Sequence, residues 1–181
     1  MIHELKEIIK QAVINQQKGL KNVLATVVFL EGSSYRKPGV RMLISEDLSS
    51  VGAVSGGCVE KEIIHRATTV FRDNKPKVIT YDGRYKLGCE GILYVLIEPF
   101  FVTAQLISAF SKANSKRESL QLTSYFKKEN EVFGEFGTSV TFENRQQFAF
   151  TETVITKSDV AVYNQVLQPA FKLIIIGGEH D

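Results

Sequence analysis

The chain has 181 residues, 44% of them hydrophobic and 23% charged, with a formal net charge of +2, as expected of a soluble globular protein. This weak charge gives no electrostatic footprint for nucleic acid, and no apolar run approaches the roughly 20 residues that span a bilayer. Because the N-terminus also lacks the order of a signal peptide, we expect a cytoplasmic protein that binds neither nucleic acid nor membrane.

The first elements are a helix and a strand. Apolar residues recur at helical spacing from Ile2 to Lys18, and Gly19 stands where a helix C-cap is expected. The run Val23–Leu30 is almost unbroken, apolar and β-branched, which predicts a central strand that is covered on both faces.

A polar loop follows this strand. It carries two hydroxyls, Ser33 and Ser34, and two cations, Arg36 and Lys37, among glycines, a combination suited to phosphate or another oxyanion. The loop lacks the Gly-Lys-Ser/Thr spacing of a P-loop, so an ordinary surface loop stays an open alternative. Two strands of a hairpin come next, at 40–44 and 50–54.

The turn at Ser55, Gly56, Gly57 and Cys58 leads from a strand into a helix predicted from Val59 to Asp73. A cysteine at a helix N-terminus lies where unpaired N–H groups favour an anion, either a thiolate or a bound phosphate. A tight turn with a small buried cysteine is the open alternative. Direct activation of the thiol by His65 is improbable, because His65 lies two helical turns away, about 10 Å along the axis.

A second cysteine lies in another glycine-rich loop. Strands are predicted at 76–81 and 92–99, and the loop between them contains Cys89 flanked by Gly88 and, after Glu90, Gly91. Three such loops, around Ser33, Gly57 and Cys89, therefore lie at strand ends. Binding sites form where loops of this kind gather at one edge of a sheet, but the order of the strands is not visible in the sequence.

The remaining pattern predicts a helix from Thr103 to Asn114, with Thr103 as N-cap and Leu106, Ile107 and Phe110 facing inward. A strand at 119–127 and antiparallel hairpins at 132–168 follow, and 172–176 is typical of a buried parallel strand that enters the Gly177 turn. We therefore expect an α+β fold with a mixed sheet, flanking helices and a hairpin-rich C-terminal part.

Four stretches, in this order, resemble the XdhC/CoxI family, the accessory proteins of xanthine dehydrogenase and related molybdenum hydroxylases. They are Gly32–Leu43, Ser55–Glu60, Gly88–Gly91 and Ile97–Pro99. The resemblance returns at Leu173–His180, where the family begins a C-terminal Rossmann domain. It implies an N-terminal domain over residues 1–170 and the start of a truncated Rossmann domain over 171–181.

The resemblance also implies a function: binding of the molybdenum cofactor (molybdopterin), help with its sulfuration, and its delivery to a hydroxylase of the xanthine dehydrogenase type. The residues expected to contact the cofactor are Ser33, Ser34, Arg36, Lys37, Arg41, Ser55, Gly56, Gly57, Cys58 and Cys89, with Cys58 as the metal ligand. The turn at Gly177–His180 departs from the family's Gly-x-Gly-His, which weakens the case for nucleotide binding.

We expect a non-catalytic chaperone, with no catalytic residue assigned and homodimerisation left open. Two other classes are consistent with the residues. One is a truncated cysteine- or nucleotide-dependent oxidoreductase, which would need a base within reach of Cys58. The other is an interaction module that docks the hydroxylase and binds nothing small.

Overall fold

The computed structural model describes residues 2–34, 37–54, 57–84, 91–152, 159–174 and 177, without the Cys58 side chain. The described helices are α1 (Ile2–Gln17), α2 (Cys58–Asp73) and α3 (Ala104–Lys116). The described strands are β1 (Asn22–Glu31), β2 (Arg41–Ser45), β3 (Ser50–Gly52), β4 (Lys77–Asp82), β5 (Ile92–Pro99), β6 (Leu120–Phe126), β7 (Val132–Phe133), β8 (Gly137–Phe142), β9 (Gln147–Ala149) and β10 (Ala161–Leu167). The expectations for Arg36, Ser55, Gly56 and Cys89 fall outside the described residues.

Two antiparallel sheets organise these elements. The first has the order β3-β2-β1-β5-β4-β7, and the second has the order β10-β6-β8-β9. The α+β class and the hairpin-rich C-terminal part are confirmed. The expected mixing of parallel and antiparallel strands is wrong for the described pairings, which are all antiparallel. The physical reason is that β5 returns beside β1 in the opposite direction, and short connections join β1 to β2, β2 to β3 and β4 to β5.

β1 is the central strand that the sequence predicts. It pairs with β2 along one side and with β5 along the other. Val23, Ala25 and Val27 pack on one face against Val59 and Ile63 of α2. On the opposite face, Leu24 belongs to a core shared with α1, α3 and the second sheet. Because both faces are covered, this strand has no need for the apolar–polar alternation of an exposed sheet.

The end of α1 and the start of α3 agree with the residues that predict them. Gly19 follows α1 with φ of 76°, a left-handed conformation that glycine adopts without steric cost. The Thr103 side chain caps α3 by accepting a hydrogen bond from the Leu106 backbone N–H at 3.1 Å. Leu106 and Phe110 of α3 are buried as expected. Ile107 was expected to face inward but is 37% exposed, because it lies on the flank of the helix that carries Ser108 and Ser111.

The expected buried strand at 172–176 is wrong for its described part. Residues 171–174 form no strand, and Leu173 and Ile174 are 83% and 65% exposed. The reason is that no described strand lies alongside them to accept their backbone hydrogen bonds or to cover their side chains. Separately, none of the three described helices combines the length and apolarity needed to cross a membrane.

Candidate functional site

The strand ends that flank the three glycine-rich loops lie at one edge of the first sheet, which we call the loop edge. The antiparallel register aligns the end of β1 with the start of β5, since Glu31 lies opposite Ile92, and Asp82 at the end of β4 also lies opposite Ile92. At the same edge β2 begins, and Gly52 at the end of β3 lies opposite Met42. Loops 32–40 and 83–91 and the 53–57 turn therefore share one edge, as the sequence alone could not establish.

Gly91 lies where the backbones of two of these loops pack against each other. A Cβ atom at Gly91 would lie 2.6 Å from the Glu31 carbonyl oxygen and 2.7 Å from that of Ser33, closer than real Cβ contacts. The loop of Gly91 is closed at its base, since the Gly83 N–H donates to the Gly91 carbonyl at 3.0 Å. Only glycine therefore allows this close approach of backbone to backbone.

The base of loop 32–40 is ordered by two backbone hydrogen bonds. The Gly39 N–H donates to the Val27 carbonyl at 2.8 Å, and the Val27 N–H donates to the Val40 carbonyl at 3.1 Å. Further along the loop, Ser33 and Lys37 are exposed, and Ser34 is half-buried. The loop thus presents a hydroxyl and an ammonium group to solvent from a fixed base.

The 53–57 turn delivers the chain to the N-terminus of α2. Gly57 has φ of 112°, and apart from its chain neighbours no atom of the described residues lies within 4 Å of the position where its Cβ would be. As predicted, Cys58 is at the start of the helix. The Glu60 carboxylate accepts a hydrogen bond from the Gly57 N–H at 2.6 Å, so part of the anion-binding capacity of this terminus is already used.

Arg41 lies at the loop edge, but it is buried between the two sheets, with the whole residue only 7% exposed. Its Nη1 donates to the Gly39 carbonyl and to Gln165 Oε1 of β10, both at 2.7 Å. Burial lowers the pKa of Arg41 to about 10, against the attraction of Tyr163, Glu98 and Glu4. The group therefore stays charged at neutral pH and holds the base of the loop through its hydrogen bond to Gly39. Its expected contact with a ligand stays a prediction.

The acids and the histidine of α2 are engaged elsewhere or exposed. Glu62 accepts a hydrogen bond from Arg66 Nε at 2.7 Å, and His65 is exposed, in agreement with the sequence. In the ranges that the structure describes, no three His, Cys, Asp or Glu side chains come together as a metal-binding group.

Two cavities flank the first sheet at opposite ends. One, of about 290 Å³, lies on the α1 side of the loop edge, where Glu4 and Glu7 contribute acidic groups beside Val40 and Gly52. The other, of about 310 Å³, lies at the far edge and is lined by residues that include Phe71 and Phe101. Arg41 and His3 also line the first cavity, so its charged lining is mixed.

Two polar residues in the layer between the two sheets were given no role from sequence. Glu98 is fully buried, and its Oε2 accepts a hydrogen bond from the Thr138 N–H at 2.8 Å. A lone acid in the apolar run of β5 was the available signal for it. Gln165 had no comparable signal, since strand alternation predicts only that it faces the same side as Tyr163.

Comparison with known proteins shows what part of the chain is similar to. Residues 16–82 match the model of the XdhC and CoxI family. The matched residues contain the β1–β2 loop, the 53–57 turn and α2, so two of the three loops at the loop edge lie in the part that is similar to this family.

Two known proteins are similar to this chain. A probable xanthine dehydrogenase subunit of Bacillus subtilis (strain 168) is 38% identical over 84 residues, a match that covers 42% of this chain and 26% of that protein. The crystal structure of a xanthine dehydrogenase from Bacillus halodurans aligns with a TM-score of 0.63 at 22% identity, covering 90% of this chain and 53% of that one. The second likeness concerns the fold, and this chain spans about half the length of that protein.

Proposed function

We propose that this chain is an accessory protein that binds the molybdenum cofactor and assists its sulfuration and insertion into a hydroxylase of the xanthine dehydrogenase type. The observation that carries the proposal is the convergence of three glycine-rich loops at one sheet edge, beside the N-terminus of α2. The match to the XdhC and CoxI family over residues 16–82 supports it.

The groups at this edge suit the chemistry of molybdopterin, which joins an anionic phosphate to a soft metal centre. The ammonium of Lys37 and the hydroxyl of Ser33 are exposed and suit the phosphate, with Arg36 beside them in sequence. A cysteine thiolate is a ligand that soft metals prefer, which assigns the metal to Cys58. Because Glu60 already binds the Gly57 N–H, we assign the phosphate to the Ser33–Lys37 side.

Among the described residues, no atom beyond its chain neighbours occupies the side of Gly57 where a Cβ would lie, which supports an approach of the cofactor to the helix there. Ser55, Gly56 and Cys89 complete the proposed contacts through their places in the turn and the third loop. We assign no catalytic residue to the chain. Residues 1–170 form the proposed cofactor-handling domain, residues 171–181 the proposed start of a further domain, and a cytoplasmic molybdenum hydroxylase is the proposed partner.

The experiment is to incubate the full chain with isolated molybdopterin cofactor and measure the molybdenum and pterin that it retains. We expect Cys58→Ala to retain at least about tenfold less metal than wild type, as the loss of a metal ligand predicts. Ser115→Ala, an exposed change on α3, is the matched control. Equal retention by Cys58→Ala removes Cys58 from the role, and no retention by wild type refutes cofactor binding.

A further inference from the structure

The base of loop 32–40 is held by the second sheet as well as by its own strands. Tyr163 and Gln165 of β10 face inward, while Val162, Asn164 and Val166 between and beside them are exposed. The two inward residues reach across the interface between the sheets to Gly39 and Arg41. β10 lies outside residues 16–82, the segment that matches the family.

Gly39 is packed directly beneath these two side chains. A Cβ atom at Gly39 would lie 2.3 Å from Gln165 Nε2 and 2.6 Å from the Tyr163 hydroxyl oxygen. Gly39 is also buried, and its φ of 99° is a conformation that other residues rarely adopt. The loop therefore turns under β10 at a point where the ends of the Gln165 and Tyr163 side chains occupy the space that a Cβ atom would need.

Arg41 links loop 32–40 to β10 through hydrogen bonds from its charged guanidinium group. Its Nη1 donates to Gly39 in the loop and to Gln165 in β10, both at 2.7 Å. A hydrogen bond from a charged donor is stronger than one between neutral groups, and burial increases the cost of losing it. In the described part of the chain, Nε and Nη2 of Arg41 have no hydrogen-bond partner, so the guanidinium depends on Nη1 for its placement.

We propose that Gln165 is a positioning residue for the candidate site: by accepting the Arg41 hydrogen bond it fixes Gly39 and thereby the direction in which loop 32–40 presents Ser33 and Lys37. This role rests on the proposed function, because it assigns the loop to the cofactor phosphate. It also means that the second sheet, which carries none of the glycine-rich loops, determines the geometry of the site.

Two substitutions separate the hydrogen bond from packing. Gln165→Leu keeps a side chain of similar size over Gly39 but removes the acceptor, whereas Gln165→Glu keeps an acceptor and adds a charge opposite to that of Arg41. Val166→Ala is the matched control, because Val166 is the next residue of β10 and is 56% exposed. If Gln165 acted through packing alone, Gln165→Leu would stay close to wild type in both amide exchange and cofactor affinity.

The first readout needs no ligand and is amide hydrogen exchange at Gly39, whose N–H bonds to Val27. Loss of one charge-assisted hydrogen bond predicts exchange at least about tenfold faster in Gln165→Leu. Gln165→Glu and Val166→Ala should match wild type. The Phe100 amide, bonded to Asn22 at the opposite sheet edge, should exchange at one rate in all four proteins. Unchanged Gly39 exchange in Gln165→Leu overturns the proposal.

The second readout is the affinity of the full chain for isolated molybdopterin cofactor. Gln165→Leu should bind at least about tenfold more weakly, with Gln165→Glu restoring the affinity. Faster exchange with unchanged affinity overturns the link between loop geometry and binding. If wild type binds no cofactor, the proposed function fails by itself, and Gly39 exchange alone then decides whether Gln165 positions the loop.

Discussion

Arg41 and Glu98 face the same buried layer between the two sheets, yet no hydrogen bond joins them in the described structure. Their strand partners in β1, Thr26 and Leu24, are two residues apart and so lie on one face. Arg41 Nε and Nη2 and Glu98 Oε1 are left without partners among the described residues. Burial raises the pKa of Glu98 to about 7, more than its bonds to Thr138 and the Arg41 charge lower it.

The stability of the fold should therefore fall as pH rises. A carboxyl whose pKa is raised from 4.5 to about 7 binds its proton more tightly in the folded than in the unfolded chain. Its stabilising contribution is complete below pH 4.5 and is lost as pH rises to 7, in total about 3 kcal/mol. Urea unfolding at pH 5.5 and 8 should give the larger free energy of unfolding at pH 5.5.

Glu98→Gln is the control for this pH dependence. The amide oxygen still accepts the Thr138 hydrogen bond, but the group no longer titrates. The free energy of unfolding of Glu98→Gln should therefore differ less between pH 5.5 and 8 than that of wild type. Asp47, Asp73 and Asp82 do not interfere, because hydrogen bonds lower their pKa and their contributions change only below this window. A wild-type profile as flat as that of Glu98→Gln contradicts the prediction.

Gly91→Ala should displace the loops at the loop edge. The added methyl would lie 2.6 Å from the Glu31 carbonyl and 2.7 Å from the Ser33 carbonyl, and backbone cannot move aside as a flexible side chain does. We expect a loss of about 1–3 kcal/mol in the free energy of unfolding, typical of overpacking. Chemical denaturation measures it. A stability equal to that of wild type would show that the two loops are free to separate.

Thr103→Ala should weaken the start of α3. The Thr103 hydroxyl accepts the Leu106 N–H, one of the donors that a helix leaves unpaired at its N-terminus. Its removal is expected to lower the free energy of unfolding by about 1 kcal/mol, while Thr103→Ser, which keeps the acceptor, should change it little. Thermal unfolding of both variants tests the cap, and an equal loss in both would attribute the effect to the methyl group instead.

Glu131→Gln should loosen the attachment of α2 to β4. The Glu131 carboxylate binds both Arg66 of α2 and Lys77 of β4, and the Lys77 side chain is only 4% exposed. Because Glu131 itself is partly exposed, we expect a cost of about 1–2 kcal/mol, below that of a fully buried pair. Arg72→Gln breaks the exposed pair with Asp73 and is the matched control, with a much smaller expected loss because water screens an exposed pair. Equal losses in urea unfolding would contradict the role of Glu131.

The elements that the sequence predicts well are those with a strong local signal. The burial of β1 follows from its unbroken apolar run, and the start of α3 follows from Thr103. The prediction of a buried strand at 172–176 is wrong over its described residues for the opposite reason. Its apolar run is as suggestive as that of β1, but a buried strand also requires neighbours, which no local pattern supplies.

The candidate site shows the same division between local and distant causes. Gly57 and Cys58 were placed correctly at the start of α2, because a glycine turn before a helix is a local pattern. The position of Arg41 was not predictable, since its burial depends on Gln165, which is 124 residues away in the chain. Strand order, which brings the three loops together, likewise arises from pairings between distant segments.

The direction of β1 also determines where the molecule can be labelled. Since the three loops share one edge, the Glu46–Ser49 turn between β2 and β3 lies at the other, and Leu48 there is 50% exposed. A fluorophore on a cysteine at Leu48 would stay distant from anything bound at the loop edge, whereas one at Ser33 would lie beside it. The same fold thus supplies a sensor position and a reference position on opposite ends of one sheet.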